Sequence, residues 1–410
     1  MILGMEREKK LTTIIMAGGK GERLFPLTRD KAKPAIVFGG LYRIIDFTLS
    51  NCLNSGIRRI YVLSQYGSLS LDIHLRFTWD IFRPDLGEYI YSVPPQQITV
   101  NRWYRGTADS IYQNLKLLDE ERPKHVLILS GDHVYKMDYQ AMLDFHLSKG
   151  ADLTVAAVPA PRQEASAFGI LHVDEDHRVI GFLEKPADPP GMPGNPEMSL
   201  VSMGVYVFGA ETLVRELIAD AKNKDSQHDF GRNIIPRMVG KNKVFAYPFT
   251  DPATGKPGYW RDIGQLDAYF QAHLDLLGEK PVFDLYSEDW PMRSQLTLTP
   301  PTKYVSHKKP VDITDSLISS GCELHEAQVS RAVLSPRVRV GKGAYIEEAV
   351  IWNNVRVGLG AKIRRAIIED GVMIPPRFTI GYDHQADASR FPVTDGGIVV
   401  VPNNVTLEGP

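Results

Sequence analysis

"IIMAGGKGERLFPLTRDKAKPA", from Ile14 to Ala35, joins an apolar run to Gly18, Gly19 and Gly21 and then to a set of cations that includes Lys20, Arg23, Lys31 and Lys33. An apolar run ending in glycine reads as a buried strand whose carboxyl end meets a tight turn. Glycine lets that turn approach a ligand closely and offer it backbone amides. Neither common phosphate loop is present: a Walker loop needs Ser or Thr after its Gly-Lys, and a dinucleotide fingerprint needs glycine where Leu24 stands. Bare amides and cations beyond a strand still suit a polyphosphate. Arg23 can grip phosphate oxygens bidentately, and Lys33, beside Pro34, can aim a point charge from a restrained segment.

Working outward, "TTIIMAG", "RRIYVLSQY", "HVLILSGD" and "ADLTVAAVPA" are strand-like, with amphipathic stretches between them as far as about Gly278. That alternation predicts an α/β domain with a mostly parallel, Rossmann-like sheet covered by helices on both faces. The stretch "GTADSIYQNLKLLDEERP" predicts a helix with Ile111, Leu115 and Leu118 on its buried face, limited by Pro123.

Such sheets bind ligands beyond the carboxyl ends of their strands, so polar residues there carry the chemistry. "LILSGDH" places Asp132 at one such end, and "GYWRDIG" places Asp262 on a short strand before a helix opening at Gln265. Two carboxylates from distant strands are candidate ligands for one Mg2+ that bridges phosphates, although either could serve as a helix cap or ion-pair partner. "FLEKPAD" ends a further strand with Glu184, able to accept sugar hydroxyls, and Lys185, able to hold a phosphate.

The proline-rich stretch 279–310 has no helical period and reads as a linker. Beyond it the chain repeats itself: "VRVGKGAYIEEAVI" (338–351) and "VRVGLGAKIRRAII" (355–368) share nine of fourteen residues at an offset of seventeen, with a weaker copy at 331–338. β-Branched residues every five or six positions predict a β-helix of about three strands per coil, with an apolar side suited to oligomerisation. The expected organisation is a catalytic domain over 1–278, the linker, and a β-helix domain over 311–410.

The bulk composition excludes several other classes. Lys and Arg number 47 against 49 Asp and Glu, a net charge of −2, so no global field draws the chain to nucleic acid or anionic lipid. No apolar run is long enough to span a bilayer, and "MILGMEREKK" lacks the apolar core of a signal peptide, so the expected address is cytoplasmic. Cys52 and Cys322 lie far apart and read as reduced core residues.

Taken together, "MAGGKGERLFPLT", "AKPAIVFGGLYRIIDFTLSNCLNSGIRRI", "SQY", "WYRGTADSIYQN", "LSGDHVYKMDY", "ASAFGI", "FLEKPA", "SMGVYVF", "HDFGRNIIP" and "YWRDIGQLDAY" closely resemble the bacterial glucose-1-phosphate adenylyltransferases, or ADP-glucose pyrophosphorylases, over nearly the whole chain. The resemblance implies conversion of ATP and α-D-glucose 1-phosphate to ADP-glucose and pyrophosphate with Mg2+, towards bacterial glycogen. It further implies allosteric control by metabolites, a left-handed β-helix and a homotetramer. Carried over by residue, Gly18, Gly19, Gly21, Arg23 and Lys33 form the triphosphate cradle, and Gln65 and Gly106 the adenine contact. Tyr104, Gly169, Glu184, Lys185 and Ser202 form the glucose 1-phosphate pocket, and Asp132 and Asp262 are the Mg2+ ligands. Lys31 and Arg43 match the effector site, whereas Asp30, Val37 and Glu120 stand where enterobacterial relatives carry cations, which leaves the activator open.

Three other readings fit parts of the sequence: a transferase for another base or sugar, a catalytically silent regulatory subunit, and an acyltransferase built on the β-helix. The second would lack central charges that are present here, and the third would need a complete acyl-CoA site, whereas the tail has only about three clear coils and its one notable histidine, His384, lies after them.

Overall fold

The computed structural model describes residues 11–95, 103–192, 194–251, 254–295 and 298–409. The chain gathers into two compact units, Met1–Gly19 with Thr48–Trp260, and Lys20–Phe47 with Arg261–Pro410. The boundary is therefore not linear in sequence, because the segment following the glycine turn belongs with the second unit.

The first unit is built on a nine-stranded sheet. Leu11–Ala17 pairs in parallel with Arg59–Ser64 on one side and His125–Ser130 on the other, and Arg59–Ser64 pairs in parallel with Tyr89–Val93. Met198–Gly209 runs antiparallel to His125–Ser130, Leu153–Pro161 and Gly169–Val173. Val179–Glu184 closes a hairpin on Gly169–Val173, and Val244–Pro248 pairs in parallel with Leu153–Pro161. Only Met198–Gly209 and Val179–Glu184 oppose the common strand direction.

Continuous apolar runs mark strands covered on both faces, and Ile14, Ile15, Val126, Leu127, Ile128 and Leu129 are each at most 1% exposed. Register aligns Ala17 with Ser64 and Met16 with Ser130, so three neighbouring strands end side by side just before Gly18, Gln65 and Asp132.

The helix expected over 106–123 is two helices, Thr107–Tyr112 and Leu115–Glu121. Asn114 causes the break: its Nδ2 donates to the Ser110 carbonyl at 2.8 Å and to the Tyr104 hydroxyl at 2.9 Å, offering the backbone an alternative to the helical ladder. Ile111 and Leu118 are buried as expected, while Leu115, at the start of the second helix, is half-buried.

In the second unit the repeat is a parallel β-helix whose ladder has the period of the sequence. Tyr345–Ile351 stacks on Lys362–Ile368 with Ile346 on Ile363, Ala349 on Ala366 and Ile351 on Ile368, each a step of seventeen residues. Arg356–Val357 supplies another side of the coil. The long strands bend at a corner where Arg331, Glu348 and Arg365 stack at positive φ, and Glu348 lies 3.2 Å from Arg331 and 3.3 Å from Arg365. Alternating charge thus stabilises a strained corner. Lys303–Val305, inside the stretch that reads as linker, is already a β-helix strand, since it pairs in parallel with Glu323–His325.

Residues 20–47 join this unit through an apolar hairpin. Phe38 and Phe47 are fully buried, Tyr269 Oη donates to the Val37 carbonyl at 2.6 Å, and Trp352 Nε1 of the β-helix donates to Tyr269 Oη at 2.9 Å. Both cysteines are buried free thiols. Among the described residues no helix is long and apolar enough to cross a membrane.

Each unit buries a neutral histidine. His273 Nδ1 donates to the Tyr269 carbonyl at 2.8 Å while its Nε2 accepts from the Gly39 amide at 3.1 Å, and His146 Nδ1 lies 2.9 Å from Thr154 Oγ1. Burial pushes both imidazoles down to about 4. The unfolded chain takes up these protons below about pH 6.5, whereas the folded chain resists them until about pH 4, so stability is full above pH 6.5 and falls as the pH drops towards 4. The expected loss between pH 7 and pH 5 is roughly 2 kcal/mol per histidine, measured by denaturant unfolding, and His273→Gln should flatten the dependence.

Candidate active site

The strand ends of the first unit carry most of the expected contacts. Gly18 lies against Gln65, where an added Cβ would stand 3.3 Å from the Gln65 Cβ, while Gly19 has open space around it. Gln65 is only 7% exposed and its Oε1 accepts from the Tyr104 amide at 2.8 Å, so the expected adenine and sugar residues share one structural element. Burial raises the Tyr104 phenol above its ordinary range, opposed by the Asn114 hydrogen bond, and keeps it a neutral hydroxyl. Gly106 packs directly on the Gln227 and His228 carbonyls, with which any Cβ would collide, and the His228 carbonyl in turn accepts from the Ala108 amide at 2.8 Å.

Asp132 follows Gly131, whose amide donates to the Met16 carbonyl at 3.0 Å and ties the turn to the central strand. The Ser130 hydroxyl donates to Asp132 Oδ1, and His133 Nε2 stands 3.5 Å from the same oxygen. Ser202 lies nearby in sequence from Gly204, in the stretch where Met198–Gly209 shifts register. Gly204 adopts φ +68 there, its amide donates to Ser202 Oγ at 3.3 Å, and a Cβ on it would stand 3.5 Å from His133. A glycine-dependent bulge therefore brings Gly204 beside the Asp132 turn and holds Ser202 Oγ on the Gly204 amide.

Glu184 sits opposite Gly169 in the hairpin register. Gly169 and Gly231 clear space for its carboxylate, because a Cβ at Gly231 would collide with Glu184 Oε2 and one at Gly169 would lie 3.0 Å from it. Burial, and then the charge of Asp229, raises the Glu184 carboxyl, against the lowering influence of Lys185 and Arg232. Lys185 Nζ is 3.6 Å from Glu184 Oε1, and its backbone is held at φ +49 with the amide donating to the Phe168 carbonyl at 3.0 Å.

Asp229, Gly231 and Arg232 are the residues that inspection of single motifs missed. They sit on and before one turn of π-helix, Phe230–Ile234, where Asp229 accepts from the Arg232 amide and from Thr107 Oγ1, each at 3.0 Å. The available signal was a glycine inside a short helix-like run, which points to a close approach.

The second unit holds the other charged group. Gly21 is at φ +69, and a Cβ on it would stand 2.8 Å from Thr28 Cγ2, so only glycine lets this turn close; Thr28 Oγ1 donates to its carbonyl at 2.9 Å. Lys33, 8% exposed, places Nζ 3.3 Å from Asp262 Oδ1. Arg23 and Asp262 both converge on Gly264, where a Cβ would stand 3.1 Å from Arg23 Nη2 and 2.9 Å from Asp262 Oδ2. Arg23, Lys33 and Asp262 are thus one cluster, two cations around one carboxylate. Lys31 donates to Asp370 Oδ2 at 2.7 Å with its ammonium 4.6 Å over the Trp352 ring, and the Arg43 charge acts on the Tyr269 phenol that Trp352 contacts. Lys31 and Arg43 therefore flank one buried aromatic pair.

This geometry joins a family match by the nucleotidyl transferase model over residues 12–279 and by the GlmU-like C-terminal hexapeptide model over 300–401. Glucose-1-phosphate adenylyltransferase 2 of Vibrio vulnificus strain YJ016 is 50% identical over 96% of this chain and 98% of its own. The chain belongs to the glucose-1-phosphate adenylyltransferase family. Glucose-1-phosphate adenylyltransferases of Rhodopirellula baltica, 45% identical over 98% of this chain and 92% of their own, and of an Anaeromyxobacter species, 46% identical over 97% and 99%, extend the same likeness. A glucose-1-phosphate adenylyltransferase architecture, nucleotidyl transferase followed by hexapeptide coils, accounts for both the mostly parallel sheet and the β-helix seen here.

Proposed function

We propose that this chain catalyses ATP + α-D-glucose 1-phosphate → ADP-glucose + pyrophosphate, the committed step of bacterial glycogen synthesis, in the cytoplasm. The observation that carries the reading is a likeness of 45–50% identity to enzymes of that name over nearly their full length. In the proposed reaction an oxygen of the sugar phosphate attacks the α-phosphorus of ATP in line. The bond to the β-phosphate breaks, and its electron pair leaves with pyrophosphate. Little proton transfer is needed, so the protein contributes position and charge neutralisation.

Gly18, Gly19, Gly21, Arg23 and Lys33 are assigned to the triphosphate, and Gln65 and Gly106 to adenine. Tyr104, Gly169, Glu184, Lys185 and Ser202 are assigned to the sugar phosphate, with Asp229 and Arg232 added because they set the charge around Glu184. Asp132 and Asp262 are assigned to Mg2+. Both offer the hard oxygen donors such a cation takes, and the Ser130 hydroxyl orients the Asp132 carboxylate. A bound Mg2+ would supply charge neutralisation on the phosphate oxygens. In this scheme residues 1–278 carry catalysis, 279–310 link, apart from Lys303–Val305, which already pairs in the β-helix, and 311–410 serve regulation and homotetramer formation.

The test is pyrophosphate release measured with glucose 1-phosphate and each of ATP, UTP, dTTP and GTP, and with other sugar phosphates beside ATP. ATP with glucose 1-phosphate should show the highest kcat/KM by at least about tenfold, the discrimination that a few lost contacts produce. Preference for UTP or dTTP, or no release with any pair, would refute the assignment.

Regulation follows from local charge. Lys31 is ion-paired with Asp370, and Asp30 and Glu120 add acid where enterobacterial relatives carry cations. Fructose 1,6-bisphosphate should therefore activate more weakly than a smaller anion such as fructose 6-phosphate or pyruvate, in the same assay across a metabolite panel.

A further inference from the structure

His228 is 2% exposed and stands two residues before the π-turn, with its backbone at φ 55, a conformation that residues other than glycine seldom adopt. Its side chain and its amide are tied to one carboxylate. A carboxylate only accepts, so His228 Nδ1 donates to Asp220 Oδ2 at 2.7 Å. The His228 amide donates to Ser226 Oγ at 2.9 Å, and that hydroxyl donates to Asp220 Oδ1 at 2.7 Å. Asp220, itself 2% exposed in the last turn of Ala210–Ala221, has Arg237 Nη1 at 3.8 Å to balance its charge. His228 Nε2 is buried with no hydrogen-bond partner among the described residues, so the bond at Nδ1 orients the ring.

The backbone at this residue joins two parts of the site. The His228 carbonyl accepts from the Ala108 amide at 2.8 Å and the Asp109 amide at 3.3 Å, which open the helix Thr107–Tyr112, and Gly106 packs on the same carbonyl. One residue on, Asp229 Oδ2 accepts from Thr107 Oγ1, and Thr107 Oγ1 accepts from the Phe230 amide, each at 3.0 Å. Gly231 then leaves room for the Glu184 carboxylate.

We propose that His228, anchored by Asp220, is a positioning residue that fixes Gly106 and the helix after it relative to the sugar-phosphate turn Asp229–Arg232. The inference rests on the proposed reaction, in which Gly106 meets adenine and the turn serves the sugar phosphate. In-line displacement between two bound substrates depends on their mutual placement, and a shift of about 1 Å costs about a hundredfold in rate. Each substrate alone is held by its own contacts, which the anchor does not supply. Losing the anchor therefore lowers kcat and leaves both KM values nearly in place. The strained φ fits this role, because such a conformation persists only where the surroundings over-determine it.

The test uses the full chain, with pyrophosphate release measured as each substrate is varied. His228→Gly removes the imidazole and the backbone strain together, and should lower kcat about ten- to a hundredfold while both KM values stay within about threefold. His228→Asn should keep kcat within about threefold of the unsubstituted chain, because asparagine tolerates the left-handed region and carries an N–H donor close to the place of Nδ1. Asp220→Ala should reproduce the loss with residue 228 intact, and combining it with His228→Gly should cost no more than about threefold beyond either alone, since both remove one bond. Hydrogen exchange reads the geometry without turnover: peptides covering 106–112 and 227–234 should both exchange at least about tenfold faster in His228→Gly, with Leu11–Ala17 unchanged. Should His228→Gly not fold, Asp220→Ala carries the same two readouts. A folded variant with kcat retained, whatever its KM values, overturns the proposal. So does unchanged exchange over 106–112, or an asparagine variant as slow as the glycine one. Absence of pyrophosphate release by the unsubstituted chain would instead refute the proposed reaction, and the exchange rates would then decide the positioning role by themselves.

Discussion

Asp132→Asn is expected to lower kcat by roughly two to four orders of magnitude while ATP affinity changes less than tenfold. Asparagine keeps the shape of the turn after Gly131 but removes the formal charge assigned to Mg2+, where negative charge redistributes as pyrophosphate leaves. Losing a metal clamp of this kind removes about 3–5 kcal/mol of transition-state stabilisation, which sets the predicted range. Binding survives because the glycine turn, Arg23 and Lys33 are assigned to the triphosphate and are untouched. The alternative role for Asp132 is structural, as acceptor for the Ser130 hydroxyl and neighbour of His133. In that role the substitution lowers the melting temperature and spares turnover. Measuring kcat at saturating Mg2+ beside a thermal melt separates the two, and near-normal kcat in a folded protein would refute the metal assignment.

Lys185→Gln should raise the KM for glucose 1-phosphate by about ten- to a hundredfold and leave the KM for ATP nearly unchanged. A charge-assisted hydrogen bond to phosphate contributes about 1.5–3 kcal/mol, and each 1.4 kcal/mol is a factor of ten. The backbone supports a dedicated role: a lysine held at φ +49, with its amide on the Phe168 carbonyl, is fixed in a conformation that non-glycine residues seldom adopt. Its ammonium, about half exposed, shares Glu184 at 3.6 Å and so has both a fixed base and access to an anion. Steady-state kinetics with each substrate varied in turn decides the matter. If both KM values rise together, Lys185 supports ATP or the fold instead.

Local pattern carried much of this protein. The run from Leu11 to Ala17 is apolar because the strand is buried on both faces, and the glycines after it mark a turn because the strand ends there. The seventeen-residue repeat became the ladder register itself, because stacked coils place each residue on its equivalent and make sequence period and spatial period the same quantity. Asp132, Glu184 and Lys185 could be picked out because each polar residue interrupts the end of a strand.

Residues far apart in the chain and united only by packing were not legible. No local pattern joins Lys33 to Asp262, or Gln65 to Tyr104, and none assigns 20–47 to the unit that contains the β-helix. The break at Asn114 turned on competition between helix ladder and side-chain hydrogen bonds, one of which reaches Tyr104. The room around Glu184 depends on Gly231, forty-seven positions away, whose significance appears only when the hairpin and the π-turn are packed together. The sequence alone determined strand ends, repeat period and the kinds of charge available, because these follow from nearest neighbours along the chain. Tertiary structure decided which charges meet and which are neutralised, because Coulomb and hydrogen-bond energies depend on distance in space.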